Sequence, residues 1–187
     1  MIQKLMEDIH LILSTPHLLY ANIISLIAAL CMIVSCVVSR RKYVFLLQAA
    51  QCGLLCFTQL ILGMYGGLVT LLLGATRNAL TAFDKMTARR TLYFAIAIGV
   101  AGSAVNFLSE GGMIGLLPVA ATVLYTFGCH YIRHPNIMRL NIFVNTVLWI
   151  GYSLAVLDYV TALTDMTTAV VDGVVMVWVF FKKKVLK

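Results

Sequence analysis

Charge is what this sequence lacks most. Of its 187 residues only 11 % are Asp, Glu, Lys or Arg, and seven of those are acidic. Soluble domains carry about 25 % charge, so a water-facing globular surface is excluded. Proline is scarce as well, at three residues, which leaves long stretches free to stay helical. The five cysteines all sit inside apolar runs and none forms a C-x-x-C pair. That placement excludes a disulfide framework and reads as small packing residues. H-E-x-x-H, G-x-S-x-G and phosphate-cradling glycine loops are missing too. The connections between apolar runs are too short to build a soluble active site. No enzymatic activity, cofactor or metal is expected.

What the chain has is apolar length. Hydrophobic residues make up 61 %, and runs at about 17–38, 43–62, 64–83, 91–108, 112–132, 140–157 and 160–181 each approach the roughly 17–25 residues that cross a bilayer. The expectation is an all-α polytopic membrane protein with seven transmembrane helices and the lipid bilayer as its first partner. The net charge of +7 is not spread over a nucleic-acid face. It falls in clusters: Arg40–Lys42, Lys85 to Arg90, Arg133 to Arg139, and Lys182 to Lys187. The alternate connections hold Glu110 and Asp158 and no base. Positive charge stays cytoplasmic, so the N-terminus is expected outside and the C-terminus inside.

Residues 1–16 carry apolar positions 2, 5, 6, 9, 12 and 13 at near-helical spacing and end at Pro16, which predicts an amphipathic helix lying in the interface. Shifting the chain by 94 residues lays spans 1–3 on spans 5–7 and sets Gln51 on Asn145, Tyr65 on Tyr159 and Asn78 on Asp172. With one odd helix between them, the two triplets point the same way. The expected organisation is a first triple-helix bundle (17–83), a loop and linker helix (84–110), a second bundle (111–181) and a basic tail (182–187). This is a parallel 3+1+3 arrangement.

Four stretches bear a family likeness: LGMYGG at 62–67, LLGATRNALTAF at 72–83, GLLPVAATV at 115–123 and the polar-then-apolar run DMTTAVVDGVVM. In these the chain resembles the bacterial YgjV-like inner-membrane proteins. At the level of fold it resembles the triple-helix-bundle superfamily of SWEET sugar transporters and PQ-loop proteins. The likeness implies a bacterial inner-membrane location. Trp149-x-x-Tyr152 resembles the Trp-x-x-Tyr of the second bundle in those transporters, whereas Leu55 takes the Trp place in the first. Pro118 is the one proline expected inside a span. These departures point away from a plain sugar.

A charge near a helix centre costs about 2.5–3.5 kcal/mol on insertion, so Arg77, Asp165 and Asp172 would cost roughly 8–10 kcal/mol if all three faced lipid. They are expected to face the interior. Helical spacing groups Asp165, Thr168 and Asp172 on span 7, Gly74, Arg77 and Asn78 on span 3, and Asn141, Asn145, Trp149 and Tyr152 on span 6. Gln48, Gln51 and Gln59 mark span 2.

The expectation is a secondary transporter or facilitator of a small polar solute, zwitterionic or cationic rather than a sugar. Asn78 and Asp172 would contact the solute, while Asn145, Trp149, Gln51 and Tyr152 line the sides. Arg77 would balance Asp172, bind an anionic group or snorkel to the cytoplasm. Asp165 reads as a residue near the outer end of span 7, or as its cap. The rival is a membrane receptor or assembly partner on the same fold, its basic tail touching a partner or anionic lipid.

Overall fold

The computed structural model describes residue 7 and residues 10–38, 40–109, 111–131 and 135–185. Within these, the side chains at 36–37, 41, 129–130, 135–139, 171–172, 175–176 and 178–185 lie outside the described set. The described chain is helical throughout, with no strand. Its long helices are α1 (Pro16–Val37), α2 (Arg41–Ile61), α3 (Tyr65–Ala82), α4 (Ala88–Leu108), α5 (Leu117–Tyr131), α6 (Pro135–Ala155) and α7 (Tyr159–Val185). A 3-10 turn, Ile114–Leu116, precedes α5. Pro16 opens α1, where its missing N–H costs nothing. Thr87 caps α4 by accepting from the Arg90 N–H.

Among the described residues, three helical segments are long and apolar enough to cross a membrane: Pro16–Ser35, Lys42–Ile61 and Ala88–Leu108. The distribution of polarity tells more than the lengths. Large apolar side chains point outward, Leu30, Ile33, Val100 and Phe107 among them. Buried positions instead hold Ser25, Thr58, Gln59, Thr70, Arg77, Asn78, Asn106 and Asp158. A protein in water does the reverse. This inverted surface is what an apolar solvent selects, with polar groups turned inward to find partners.

The short segment 10–14 is helical, with Leu11 and Leu13 exposed and Ile12 buried; residues 1–6, 8 and 9 of the expected interfacial segment lie outside the described residues. Pro118 is the second residue of α5 and directly follows the 3-10 turn that opens this helical run. In that turn a Cβ at Gly115 would overlap the Oδ1 of buried Asn106, so the chain passes close to α4 just before α5.

Helix α2 packs between α1 and α3, and α6 packs between α5 and α7. The two sets meet at two seams, α3 against α5 and α1 against α7, while α4 lies across the first seam on α3 and α5. A shift of 94 residues carries one seam onto the other. The same shift maps the 21 residues of α2 onto the 21 of α6 end for end, and the start of α3 onto the start of α7.

The turns that follow α2 and α6 match bond for bond. The N–H groups of Leu62, Gly63 and Met64 donate to the carbonyls of Thr58, Leu60 and Gln59. Those of Val156, Leu157 and Asp158 donate to Tyr152, Leu154 and Ser153. The pivot of each turn is left-handed, Gly63 at φ +70° and Leu157 at φ +61°. This is the hydrogen-bonded stop that favours glycine. Leucine keeps the geometry at a steric cost of about 1–2 kcal/mol.

Candidate functional site: a cavity between the matched helices

A cavity of about 140 Å³ lies between the two helix sets. That is near the size of an engineered cavity, about 150 Å³, that accepts benzene. Its walls come mainly from α2, α3, α6 and α7, with Met32 of α1 and Thr122 and Tyr125 of α5 completing them. Six pairs of wall residues stand 94 positions apart: Gln48 and Ile142, Gln51 and Asn145, Cys52 and Thr146, Leu55 and Trp149, Leu71 and Asp165, Gly74 and Thr168. Matched helices therefore present matched faces to one space.

At one level of the cavity stands Arg77, only 5 % exposed. Its Nε and Nη2 donate to Asn78 Oδ1 at 3.2 and 2.9 Å, and its Nη1 donates to Thr126 Oγ1 at 2.7 Å. The guanidinium also lies over the Tyr125 ring, 4.7 Å from its centre. Arg77 does not snorkel: it ties α3 to α5 across the seam. Asn78 Nδ2 points at Cys52 Sγ, 3.8 Å away, joining the same level to α2. Gly74, one turn from Asn78, has open space where a Cβ would stand, which keeps the cavity clear.

Nearer the other end, Asp165 lines both the cavity and a small adjoining pocket shared with Ser25, Gln51, Thr161 and Thr164. It does not cap α7. Asp158 does, accepting from the Thr161 N–H at 3.2 Å and from the Thr161 hydroxyl at 2.8 Å. The spacing D-x-x-T at a helix start carried that signal, and the reading of Asp158 as a plain outer-loop charge missed it. Ser25 of α1 donates to the same carboxylate at 3.0 Å. Burial pushes the Asp158 carboxyl above the usual carboxylate range, against the lowering pull of the Thr161 and Ser25 hydrogen bonds.

Tyr152 is fully buried and stands off the cavity wall. Its hydroxyl is hydrogen-bonded to Gln59 Oε1, bridging α6 to α2. Its ring meets Trp149 edge-on at 5.7 Å. Beyond Tyr152 lies a second cavity of about 130 Å³ beside Asn106 and a set of glycines. Tyr152 thus stands between the two spaces. Ser25–Thr58, Ser25–Asp158 and Asn22 to the Leu157 carbonyl continue the same buried belt around the end of the bundle.

Of the residues singled out from sequence, Asn78, Arg77, Asn145, Trp149, Gln51 and Asp165 meet at this cavity, whereas Tyr152 packs edge-on against Trp149 and lines the second cavity. Asp172 falls on α7, two turns beyond Asp165, and its side chain lies outside the described residues. Sequence reasoning missed Thr126, Tyr125 and Asn106, whose partners are distant in the chain or are backbone groups.

A family model for a bacterial inner membrane protein, Imp-YgjV, matches residues 19–183. No curated protein and no solved structure matches the chain.

Proposed function

Since the chain belongs to the Imp-YgjV family of bacterial inner membrane proteins, we propose that it is a secondary transporter or facilitator of a small polar solute across that membrane. In this reading all seven long helices cross the bilayer, with the N-terminus outside and the basic C-terminus in the cytoplasm. The helices α1–α3 and α5–α7 are two parallel three-helix repeats, and α4 is the linker. A kinship with the SWEET and PQ-loop proteins belongs to the same proposal. The chain carries out no covalent chemistry and binds no nucleic acid.

One observation carries the reading: the cavity is walled by residue pairs at a fixed spacing of 94, at the seam of the two helix sets. Transporters built from repeats hold their solute near midplane between the repeats, and rock one against the other. The turns that would flex are also matched. In this reading the Tyr152–Gln59 bridge and the Ser25–Asp158 bond form the outer gate. Gate opening separates α6 from α2 and α1 from the start of α7. Asn78, Asn145 and Gln51 supply hydrogen bonds to the solute, Trp149 supplies an apolar face, and Asp172 extends the polar stripe of α7.

Uptake of radiolabelled small metabolites into proteoliposomes tests this, with Gly74→Phe as the control. Gly74 has room for a side chain that would fill the cavity, so this variant is expected to fold and to lose uptake. Uptake unaffected by Gly74→Phe, or none under any ion gradient, removes the reading. A receptor on the same fold would bind a solute and pass none.

A further inference from the structure

Among the described residues the cavity carries two charged side chains, Arg77 and Asp165, which are unequally served, and that inequality specifies a ligand. Arg77 already has three hydrogen bonds and an aromatic face. Asp165 has no hydrogen-bonding partner among the described residues. The hydroxyls around it are committed elsewhere: Thr161 and Ser25 to Asp158, Thr164 to the Val160 carbonyl, and Thr168 to the Thr164 carbonyl. Gln51 is the one amide among these neighbours. A carboxylate in a low-dielectric cavity demands a cation or several donors. Its repeat counterpart is Leu71, so the demand exists on one side of the cavity only.

We propose that Asp165 is the recognition residue for a small organic cation, an alkylammonium whose charged end seats on its carboxylate and whose apolar body lies along Trp149 and Leu55. This deepens the transport reading and rests on it. The partners that Arg77 already has weigh against an α-amino acid. Arg77 lies twelve residues along α3 and Asp165 six along α7. With the two helices in matched positions, the Cα atoms of Arg77 and Asp165 are offset by about 9 Å along the axis, at 1.5 Å per residue. The carboxylate of an α-amino acid would meet a guanidinium three of whose five N–H donors are already engaged. Arg77 cannot reach toward Asp165 either, because Asn78 and Thr126 hold its guanidinium at its own level. The space accepts a body of about benzene's size, and Trp149 offers an indole face to a cation.

The test is a matched ligand series on purified protein in nanodiscs, read by tryptophan fluorescence with Trp149→Phe as the blank. 1-Aminobutane, 1-butanol and butyrate differ in charge at nearly constant shape. The proposal expects 1-aminobutane to bind at least tenfold more tightly than either of the others. Asp165→Asn should abolish that preference and Asp165→Glu should restore most of it. Equal binding of the three, no amine binding, or an amine preference that survives Asp165→Asn overturns it. The ligand series on the unmodified protein decides the matter even where a variant fails to fold. Amine binding without uptake removes the transport reading and leaves the site standing. Uptake of a neutral or anionic solute, indifferent to Asp165→Asn, removes the site and leaves transport standing.

Discussion

The helix set α1–α3 and its partner α5–α7 share the boundaries of their middle helices, the turns that follow them and cavity positions, and differ in the chemistry placed on them. Where the first set has Leu71, Leu55, Gly63 and Met64, the second has Asp165, Trp149, Leu157 and Asp158. The first set contributes the cation, Arg77, and spends it on tying α3 to α5. The second contributes a carboxylate left open to the cavity and another, Asp158, that fastens α7 to α1. Register is set by backbone hydrogen bonds and close packing, which tolerate many side chains. The cavity, by contrast, is read side chain by side chain. A matched scaffold can therefore be symmetric in shape and one-sided in charge, which a binding site needs in order to orient a solute.

The largest expected break in this comparison is at the end caps. Asp158→Ala removes the cap of α7 and leaves the Ser25 and Thr161 hydroxyls without their acceptor, so it should cost about 2–4 kcal/mol. Met64→Ala at the matched position should cost about 1 kcal/mol or less. Thermal unfolding in one detergent measures both. Equal effects would mean that the two turns are stabilised alike.

Next in size is Gly67, matched to Thr161. A Cβ at Gly67 would come within 2.6 Å of the Tyr152 hydroxyl and 2.7 Å of Gln59 Oε1, so Gly67→Ala should push the bridge apart at about 1–3 kcal/mol. The signature should be faster hydrogen exchange at the ends of α2 and α6. Exchange unchanged there would remove the bridge as the closure of that end.

The smallest effect is expected at the left-handed pivots. Gly63→Ala should destabilise by about 1 kcal/mol. Leu157→Gly should cost less than a leucine truncation of similar exposure normally does, because relief of the left-handed backbone offsets the lost contacts. A full truncation cost at Leu157, measured by the same unfolding experiment, would mean that the pivot carries no strain.

Much of this was legible from spacing alone. Gly74, Arg77 and Asn78 share a face because the helical period puts them there, as it does Asn145 and Trp149. The offset of 94 rested on thin identity in apolar sequence, and it is carried in space by turn hydrogen bonds that any residues can make. Arg77's partners were not legible, since Thr126 lies 49 residues away and is one of many threonines. The role of Asp158 was missed because it was read only as a charge in an outer connection, without its D-x-x-T cap spacing. It is fully buried. The close contact of Gly115 with Asn106 was not legible either, because it leaves no periodic trace.

The measurement nearest the central claim uses the cavity's own thiol. With Cys31, Cys36, Cys56 and Cys129 replaced by alanine, Cys52 reports on the cavity wall. An impermeant methanethiosulfonate reagent is then applied to inside-out and to right-side-out membrane vesicles. The account predicts reaction from the cytoplasmic face, and slower reaction from the outer face that Gly67→Ala accelerates. Reaction from one face only, unchanged by Gly67→Ala in a folded protein, would contradict it.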